Sequence, residues 1–456
     1  MRVDAWYTLV HVCQQWRWVV FASPRRLNLQ LLCTPKRRPT MTLDMWPEIP
    51  IVIDFVVVRK LLQDMGNITA ALGQHDRVFK IKIHNIPNSL LLQFAAMKMP
   101  FPALTELDIS SCDQIVQVVL YSLLGGSMPQ LRSLRLTGIA FPTIPKLLLS
   151  TSDLVDLCLW GIPHSGHISP VAIVAGLSSL TKLRTLVLGF RFPRSRGDGV
   201  TQLAPPLTRI VLPSLFTLYF EGQREYPEDM LSRIDAPLLD SINITFFNQL
   251  IFDTSLLGHF ISRTETFKAV HRADVVFHTS GVQITLDDGT LTLLILCKPS
   301  DWQLSSIAEV CNSIIPPFPT LEKLSIDEGP LQRLQWYDDM ENAQWLDFLQ
   351  PFTRVKILVL SGELLRPIAR ALWKLTGERL TELLPMLQNL YIEGPPPSES
   401  VMTRLNKFIA ARQDSPCPVI MKGRTGSETA LAGYTMDHDR GTLLRITTYF
   451  NNNGPI

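Results

Sequence analysis

The chain lacks the features that mark several common protein classes, beginning with charge and paired cysteines. Only 18% of its 456 residues are charged, against about 25% in an ordinary soluble domain. Its seven cysteines are scattered at positions 13, 33, 112, 158, 297, 311 and 417, without a CxxC pair. An odd, scattered set argues against a disulfide framework and predicts reduced thiols in an intracellular, cytoplasmic protein.

Long hydrophobic runs are also missing. No uninterrupted apolar stretch approaches the roughly 18 residues needed to cross a bilayer. Polar residues at positions 4, 11, 14, 15 and 17 break the apolar N-terminal segment, so we predict neither a signal peptide nor a membrane partner. The net charge of 43 − 41 = +2 likewise argues against nucleic acid as the main partner. Residues 35–39, PKRRP, resemble a short basic nuclear-import signal, which leaves a nuclear location open. The alternative is that they are a solvated linker.

Motifs for catalysis and metal binding are absent from the sequence. It contains no GxxxxGK[ST], GxGxxG, HExxH or GxSxG, so phosphate-binding loops, zincin sites and hydrolase elbows have no basis. His164 and His167 lie three residues apart in a loop, but two imidazoles without a nearby carboxylate do not complete a zinc site. We therefore predict a non-enzymatic protein without a metal or cofactor.

What the sequence does contain is a repeat, Leu-x-x-Leu-x-Leu followed by a short turn. Successive copies from Leu104 to Leu239 are 27, 23, 29, 32 and 24 residues apart, close to the period of leucine-rich repeats. Clear copies begin at Leu104, Leu131, Leu154, Leu183, Leu215, Leu239, Leu321, Val355 and Leu387, and weaker ones at Val78 and Leu291.

This pattern predicts a fold. The last two apolar positions are two residues apart, so both point to one face of a short strand. Residues 170–180, 254–264 and 305–315 have helical spacing, the last with a capping box of Ser306 and Glu309. Stacked units predict an α/β leucine-rich-repeat-like solenoid, a curved parallel sheet with helices on its convex side. The alternative, a doubly wound domain, would have longer apolar strands and a glycine-rich first turn.

The chain resembles leucine-rich-repeat proteins most fully at Leu104, Leu107, Ile109 and Cys112, which match the complete family motif. Later copies have a dipeptide that ends in glycine, such as Thr137-Gly138, in place of the Asn/Cys position. Irregular repeats of variable length are therefore expected. Between 265 and 297 the register blurs into consecutive strands with a tight turn at 288–289, and this stretch either interrupts the solenoid or contains degenerate repeats.

The N-terminal region predicts a helix whose residues Trp6, Leu9, Cys13, Trp16 and Val20 share one face and which Pro24 ends. On pattern alone it is a cap for the first repeat. Its residue order resembles the closing helix of an F-box, because Val12, Cys13, Trp16 and Arg17 match a Val-Cys-x-x-Trp-Arg signature.

That resemblance extends through the following linker to fungal F-box proteins with degenerate leucine-rich repeats. It implies docking of Val12, Cys13, Trp16 and Arg17 onto a Skp-family linker protein. An F-box opens with a Leu-Pro-x-Glu helix some twenty residues upstream, and only eleven residues precede Val12. We therefore expect either a truncated docking module or a chain that has lost the docking function.

Four segments follow from these observations. Residues 1–33 are the C-terminal part of an F-box-like helical module, and 34–75 are a linker and N-terminal cap. Residues 76–423 form the degenerate solenoid, and 424–456 are a polar tail expected to be flexible.

The predicted function is a non-catalytic substrate-recognition adaptor of a Skp–cullin–F-box type ubiquitin ligase. The alternatives are a ligase-independent interaction scaffold and, less favoured, an enzyme.

The predicted partner-binding surface is the concave face of the solenoid. Residues that flank the inward leucines would point to this face and bind a protein substrate. The candidates are Asp108, Arg135, Trp160, Tyr219, Glu221, Tyr391 and Glu393. The alternative is that helices or loops cover them.

Overall fold

The computed structural model of the chain describes residues 12–22, 30–34, 49–57, 66–111, 119–191, 209–247, 254–297, 300–315, 318–329, 342–375, 379–413 and 417–424. In these residues sixteen strands form one sheet, and two short strands form a separate parallel pair. The strands are β1 Leu31–Cys33, β2 Ile51–Val56, β3 Val78–Ile86, β4 Glu106–Ser111, β5 Ser133–Thr137, β6 Asp156–Ile162, β7 Thr185–Phe190, β8 Ile210–Val211, β9 Thr217–Gly222, β10 Ile234–Asp235, β11 Ser241–Phe247, β12 Arg272–His278, β13 Gly281–Leu286, β14 Leu291–Leu296, β15 Lys323–Glu328, β16 Ile357–Ser361, β17 Asn389–Glu393 and β18 Ile420–Arg424.

Every copy of the repeat found in the sequence lies on a strand of this sheet. The middle leucine of one copy pairs in parallel register with the middle apolar residue of the next, so that Leu107, Leu134, Leu157, Leu186 and Leu218 form a continuous row. Each of these side chains is buried. The repeat therefore forms the stacked aliphatic rows that its spacing predicts, in a mixed α/β fold with a long, mostly parallel sheet.

Helices connect the strands. They are α1 Gln14–Ala22, α2 Gly66–Gly73, α3 Asn88–Ala96, α4 Ile144–Leu148, α5 Pro170–Leu177, α6 Glu225–Ser232, α7 Ser255–Arg263, α8 Ser300–Ile314, α9 Asn342–Leu349, α10 Leu365–Trp373, α11 Arg379–Glu382 and α12 Glu399–Arg412. From α4 to α10 and on to α12, neighbouring helices pack side by side, and their buried residues join the inward strand residues in one core. The helices thus form a layer on one face of the sheet, as in a leucine-rich-repeat-like solenoid and unlike a doubly wound domain.

Glycines turn the chain where the family motif has its Asn/Cys position. Gly138, Gly161, Gly362 and Gly394 follow strand residues and have φ angles of 69°, 60°, 68° and 102°, a region that other residues rarely adopt. Gly138 N donates to Trp160 O at 2.8 Å, so one turn bonds to the next. At this turn, a backbone bond takes the place of an Asn side chain.

Residues 272–296 interrupt the rule of one strand per repeat without interrupting the sheet. The strand order is β11-β14-β13-β12-β15, and β13 is antiparallel to both of its neighbours. A turn at Asp287–Gly289 joins β13 to β14, with the Asp287 carboxylate accepting hydrogen bonds from Arg272 N and His271 N. After β11 the chain passes over two positions in the sheet before it forms β12. It then returns through β13 to β14, which lies beside β11, and continues through α8 to β15.

A buried glutamine anchors this meander to the helix layer. Gln303 on α8 donates through Nε2 to His278 O at the end of β12 and to Cys297 O after β14. Both acceptors are backbone carbonyls at the carboxyl ends of their strands. The two bonds therefore attach β12 and β14, which run parallel to each other, to α8.

Two expectations for local structure need correction. Helix α8 begins at Ser300, so Ser306 and Glu309 lie in its interior and do not form a capping box; the helical spacing continues upstream through buried Leu304. The sheet also begins earlier than residue 76, because β1 pairs in parallel with β2, and β2 pairs in parallel with β3. Part of the predicted linker is therefore sheet.

The N-terminal helix α1 contacts the core through fewer residues than its pattern indicates. Val20 is buried, but Cys13 is exposed and Trp16 is 50% exposed. Trp6 and Leu9, the other members of the predicted face, lie outside the described residues, as do residues 425–456 of the predicted tail. Among the described helices, none is long and apolar enough to cross a membrane.

Candidate functional site

The face of the sheet opposite the helices, called the outer face below, brings the predicted concave residues into two rows. One row follows the strands through Asp108, Arg135, Cys158, Val187, Tyr219 and Asn243, and later Val359, Tyr391 and Lys422. The next row, two residues further along each strand, contains Trp160, Gly189, Glu221, Thr245 and Glu393. All seven residues named from the sequence lie in these rows.

Charged residues of both signs alternate on the N-terminal strands of the outer face. Glu106 binds Lys80 Nζ at 2.5 Å and Lys82 Nζ at 2.7 Å, both from β3. Asp108 Oδ2 lies 3.4 Å from Arg135 Nη1 on the next strand. We call Lys80, Lys82, Glu106, Asp108 and Arg135 the charged lattice. Its charges are paired mostly within the chain.

Burial and pairing act in opposite directions on the carboxylates of the charged lattice. Burial alone would raise the pKa of Glu106, but hydrogen bonds from Lys80 and Lys82 outweigh burial and lower it. For Asp108 burial is the larger effect, so its pKa is raised despite the Arg135 guanidinium. Glu106 is therefore held ionised by its partners, while Asp108 is partly shielded from solvent.

The centre of the outer face is apolar. Cys158, Trp160 and Val187 form a buried cluster separate from the core, and Tyr219 packs on it. The Trp160 and Tyr219 rings meet edge to face with centroids 5.3 Å apart. Trp160 lies over Gly189, where a Cβ would come within 2.4 Å of its Cε3 atom. Glycine at 189 is thus required by the close approach of the Trp160 ring.

Glu221 adds one acid to this apolar centre. It lies two residues after Tyr219 on β9 and is half-buried. Burial raises the pKa of Glu221 to about 7, because an ionised carboxylate loses its hydration there. Burial also raises the pKa of the Cys158 thiol to about 12, so this cysteine stays protonated and unreactive at neutral pH.

The C-terminal strands show a second polar group. Lys422 Nζ on β18 lies 5.7 Å from the centroid of the Tyr391 ring, a cation–π contact. Glu393 is two residues after Tyr391 and is half-buried. Asp327 on β15 accepts a hydrogen bond from Ser361 Oγ on β16.

Of the four residues predicted to dock a ligase linker, Trp16 and Arg17 lie in α1 and Val12 and Cys13 directly precede it, and all four are exposed. Val12 is 64% exposed, and Cys13 and Arg17 are exposed as well. Trp18 and Val19 add further apolar surface, at 72% and 50% exposure. Cys13 Sγ accepts a hydrogen bond from Trp16 N at 3.4 Å, at the beginning of the helix.

The residues considered for metal binding have other roles. His164 lies in a single 3₁₀ turn, and the His167 ring stacks on Phe190 at 5.5 Å. No group of three or more potential metal ligands is found in the described ranges.

Sequence reasoning missed several outer-face residues. Lys80, Lys82, Glu106, Cys158 and Val187 occupy the same alternate strand positions as the residues that were named. The signal was present, since these residues flank the inward positions of the repeats beginning at Val78, Leu104, Leu154 and Leu183. Extending the alternation rule to every copy would have found them.

No protein-family model and no curated protein matches the chain. Among solved structures, the leucine-rich-repeat-containing protein LegL7 from Legionella pneumophila is similar over 86% of this chain and 99% of its own length, with 11% sequence identity and a TM-score of 0.26. With a TM-score this low, the likeness adds nothing to the strand register and helix layer, which show the architecture by themselves. The resemblance to fungal F-box proteins stays a prediction.

Proposed function

We propose that this chain is a non-catalytic protein-recognition solenoid whose outer face binds a protein partner. The observation that supports it is the partly exposed ring of Tyr219, which packs on the buried cluster of Cys158, Trp160 and Val187 on a face whose apolar residues do not belong to the core. Aromatic side chains contribute a large share of binding energy at interfaces. Polar and charged residues surround this centre, which is the arrangement of a protein-binding surface.

The finer proposal is that the chain serves as the substrate-recognition adaptor of a Skp–cullin–F-box type ubiquitin ligase. Support comes from α1 and the two residues before it, where Val12, Cys13, Trp16 and Arg17 match the F-box signature and are exposed. In this role the protein does no chemistry, but raises the effective concentration of a bound substrate near the ubiquitin-loaded partner. A ligase-independent scaffold is the second candidate, because binding of a partner by the outer face does not require a docking helix.

A peptide selection tests the recognition face. Random peptides displayed on phage are selected on the immobilised full chain, and the clones are tested on two variants. Thr292→Trp places a large uncharged side chain on the outer face, and Leu149→Trp places the same side chain beside α4 in the helix layer, where Leu149 is 58% exposed. We expect clones that bind wild type and Leu149→Trp but not Thr292→Trp. If no clone distinguishes the two variants, the outer face is not the recognition surface.

A pull-down tests the adaptor proposal. An immobilised Skp-family linker protein is incubated with the chain, with a Trp16→Ala/Arg17→Ala variant, and with the chain preceded by a Leu-Pro-x-Glu helix. We expect retention of the extended chain and its loss on adding the double substitution. If the linker protein retains neither the chain nor the extended chain, the adaptor role is contradicted and the scaffold remains.

A further inference from the structure

Glu221 is the only charged residue in five neighbouring strands of the sheet. These strands are β7, β9, β11, β14 and β13, with the sequences TLVLGF, TLYFEG, SINITFF, LTLLIL and GVQITL. Within the described part of the chain, the Glu221 side chain has no hydrogen bond or ion pair. A half-buried carboxylate without a counter-charge is costly, so a cation brought by a partner would stabilise it.

The same Tyr-x-Glu arrangement occurs twice on the outer face, and the second copy already holds a cation. On β17, Tyr391 and Glu393 are paired in register with Lys422 and Arg424 of β18. Lys422 places its ammonium 5.7 Å from the centroid of the Tyr391 ring. The chain itself therefore supplies a positive charge to this copy.

On β9 the equivalent positions receive no cation from the neighbouring strand. Tyr219 and Glu221 are paired with Asn243 and Thr245 of β11, so neutral residues stand where β18 has lysine and arginine. On the opposite side, Gly189 of β7 pairs with Glu221, and its missing side chain leaves room that the Trp160 ring partly fills. The two copies thus differ in whether the next strand of the sheet provides a cation.

We propose that Tyr219 and Glu221, with Trp160 supporting the tyrosine ring, form a site for a lysine or arginine side chain of a protein partner. This inference rests on the proposed recognition function and names the chemistry of the partner at the centre of the face. The tyrosine ring offers a cation–π contact, and the carboxylate offers a charge-assisted hydrogen bond. The edge-to-face contact with Trp160 holds the ring in place.

The protonation of Glu221 makes this site sensitive to pH. Its pKa is about 7 because of burial, so the carboxylate is only partly ionised at neutral pH, and cation binding strengthens as pH rises from 6 to 8. The strands on either side bring no titratable group to it. Charged residues on the flanking elements are Asp156 on β6, Arg191 after β7, and Arg224, which binds Glu225 at 3.0 Å.

The test uses the peptides selected for Thr292→Trp sensitivity. Each is expected to contain a Lys or Arg whose replacement by uncharged norleucine weakens binding about tenfold or more, the loss of one charge-assisted contact. Glu221→Gln is expected to weaken binding to the same extent, while Asp240→Asn, which removes an exposed carboxylate just before β11, leaves it unchanged.

Asn243→Lys gives a second test that leaves Glu221 in place. It introduces a lysine at the position that Lys422 has beside Tyr391, so it is expected to fill the site within the chain and weaken peptide binding about tenfold. Asn243→Gln, its uncharged counterpart, is expected to retain binding. Affinity for wild type is also expected to rise between pH 6 and pH 8, and this rise to disappear in Glu221→Gln.

The outcomes separate this inference from the function on which it rests. Peptides that require the outer face but bind equally well to Glu221→Gln and Asn243→Lys overturn the cation site and leave the recognition face standing. A selection that yields no peptide sensitive to Thr292→Trp overturns both.

Discussion

Two regions of the outer face are built on the same kind of strands but differ in how many charged residues they carry. In strands β3 to β6 the charged lattice contains three cations and two anions, with Asp156 adding a third anion on β6. In the five strands from β7 to β13 of the sheet order, Glu221 is the single charge. Both regions stack the same inward leucines, so the difference lies entirely in the residues that alternate with them.

This comparison shows how a repeat protein keeps one face of its sheet constant and varies the other. Inward residues bury apolar surface and hold the sheet together wherever they occur. Outward residues are free to vary, and their pairing across strands decides whether a region satisfies its own charges or leaves a charge without an opposite charge on the neighbouring strand. The charged lattice is of the first kind, and the surroundings of Glu221 are of the second.

The largest expected effect tests whether the two regions share one core. Leu134→Ala on β5 and Leu218→Ala on β9 each remove a fully buried side chain, and each is expected to lower the free energy of unfolding by about 3 kcal/mol. Urea unfolding followed by circular dichroism measures both. A difference of more than about 2 kcal/mol between the two would break the comparison, because it would show that the inward rows are not equivalent.

A smaller effect is expected from Glu221→Gln, with a definite sign. The pKa of Glu221 is about 7 in the folded protein and 4.5 as an ordinary glutamate. The folded state therefore binds more protons between these values, and wild-type stability falls as pH rises from 4.5 to 7. Glu221→Gln removes this cost and is expected to be more stable than wild type by about 2 kcal/mol at pH 8, a value reduced for partial exposure.

The measurement is the difference in unfolding free energy between wild type and Glu221→Gln at pH 8, 6.5 and 5. This difference should shrink steadily toward pH 5. A variant that is less stable than wild type at pH 8 would mean that the carboxylate has a stabilising partner, and the site would then be closed to an external cation.

The smallest effect, of opposite sign, is expected in the charged lattice. Hydrogen bonds from Lys80 and Lys82 lower the pKa of Glu106 in opposition to burial. The lowered pKa stabilises the fold above the ordinary value of 4.5, and this stabilisation is lost as pH falls through the folded value. Glu106→Gln is therefore expected to cost about 1 kcal/mol at pH 7, since both ion pairs are partly exposed.

Urea unfolding of Glu106→Gln and wild type over a range of pH checks this prediction. The difference in unfolding free energy between them should vanish at acidic pH. Raising the salt concentration to 1 M should also reduce it, because screening weakens partly exposed pairs. Equal stability of Glu106→Gln and wild type at pH 7 in low salt would show that the lattice contributes nothing net.

Much of the fold could be predicted because its evidence is local and repeated. Leucine spacing located β4, β5, β6, β7 and β9, and alternation placed Trp160, Tyr219 and Glu221 on the outer face. The beginning of α8 and the strand β2 were not predicted, because the segment of β2 lacks a full repeat and helix boundaries depend on packing that a pattern does not show.

The candidate site was only half predictable for the same reason. Tyr219 and Glu221 are neighbours on one strand, so the sequence places them together. That Trp160 lies over Gly189 depends on register between repeats of unequal length and on the turn at Gly161, whose φ is 60°. The role of Asn243 opposite Tyr219 likewise required the strand pairing to be known.

The sequence by itself determined the rows of inward leucines, because a period of two within each strand and one strand per repeat are properties of the chain read in order. The tertiary structure decided which outward residues meet, including the pairing of Lys422 with Tyr391 and the order in which β12, β13 and β14 enter the sheet. The physical reason is that contacts across strands join residues some 25 to 35 positions apart, and only the folded register brings them together.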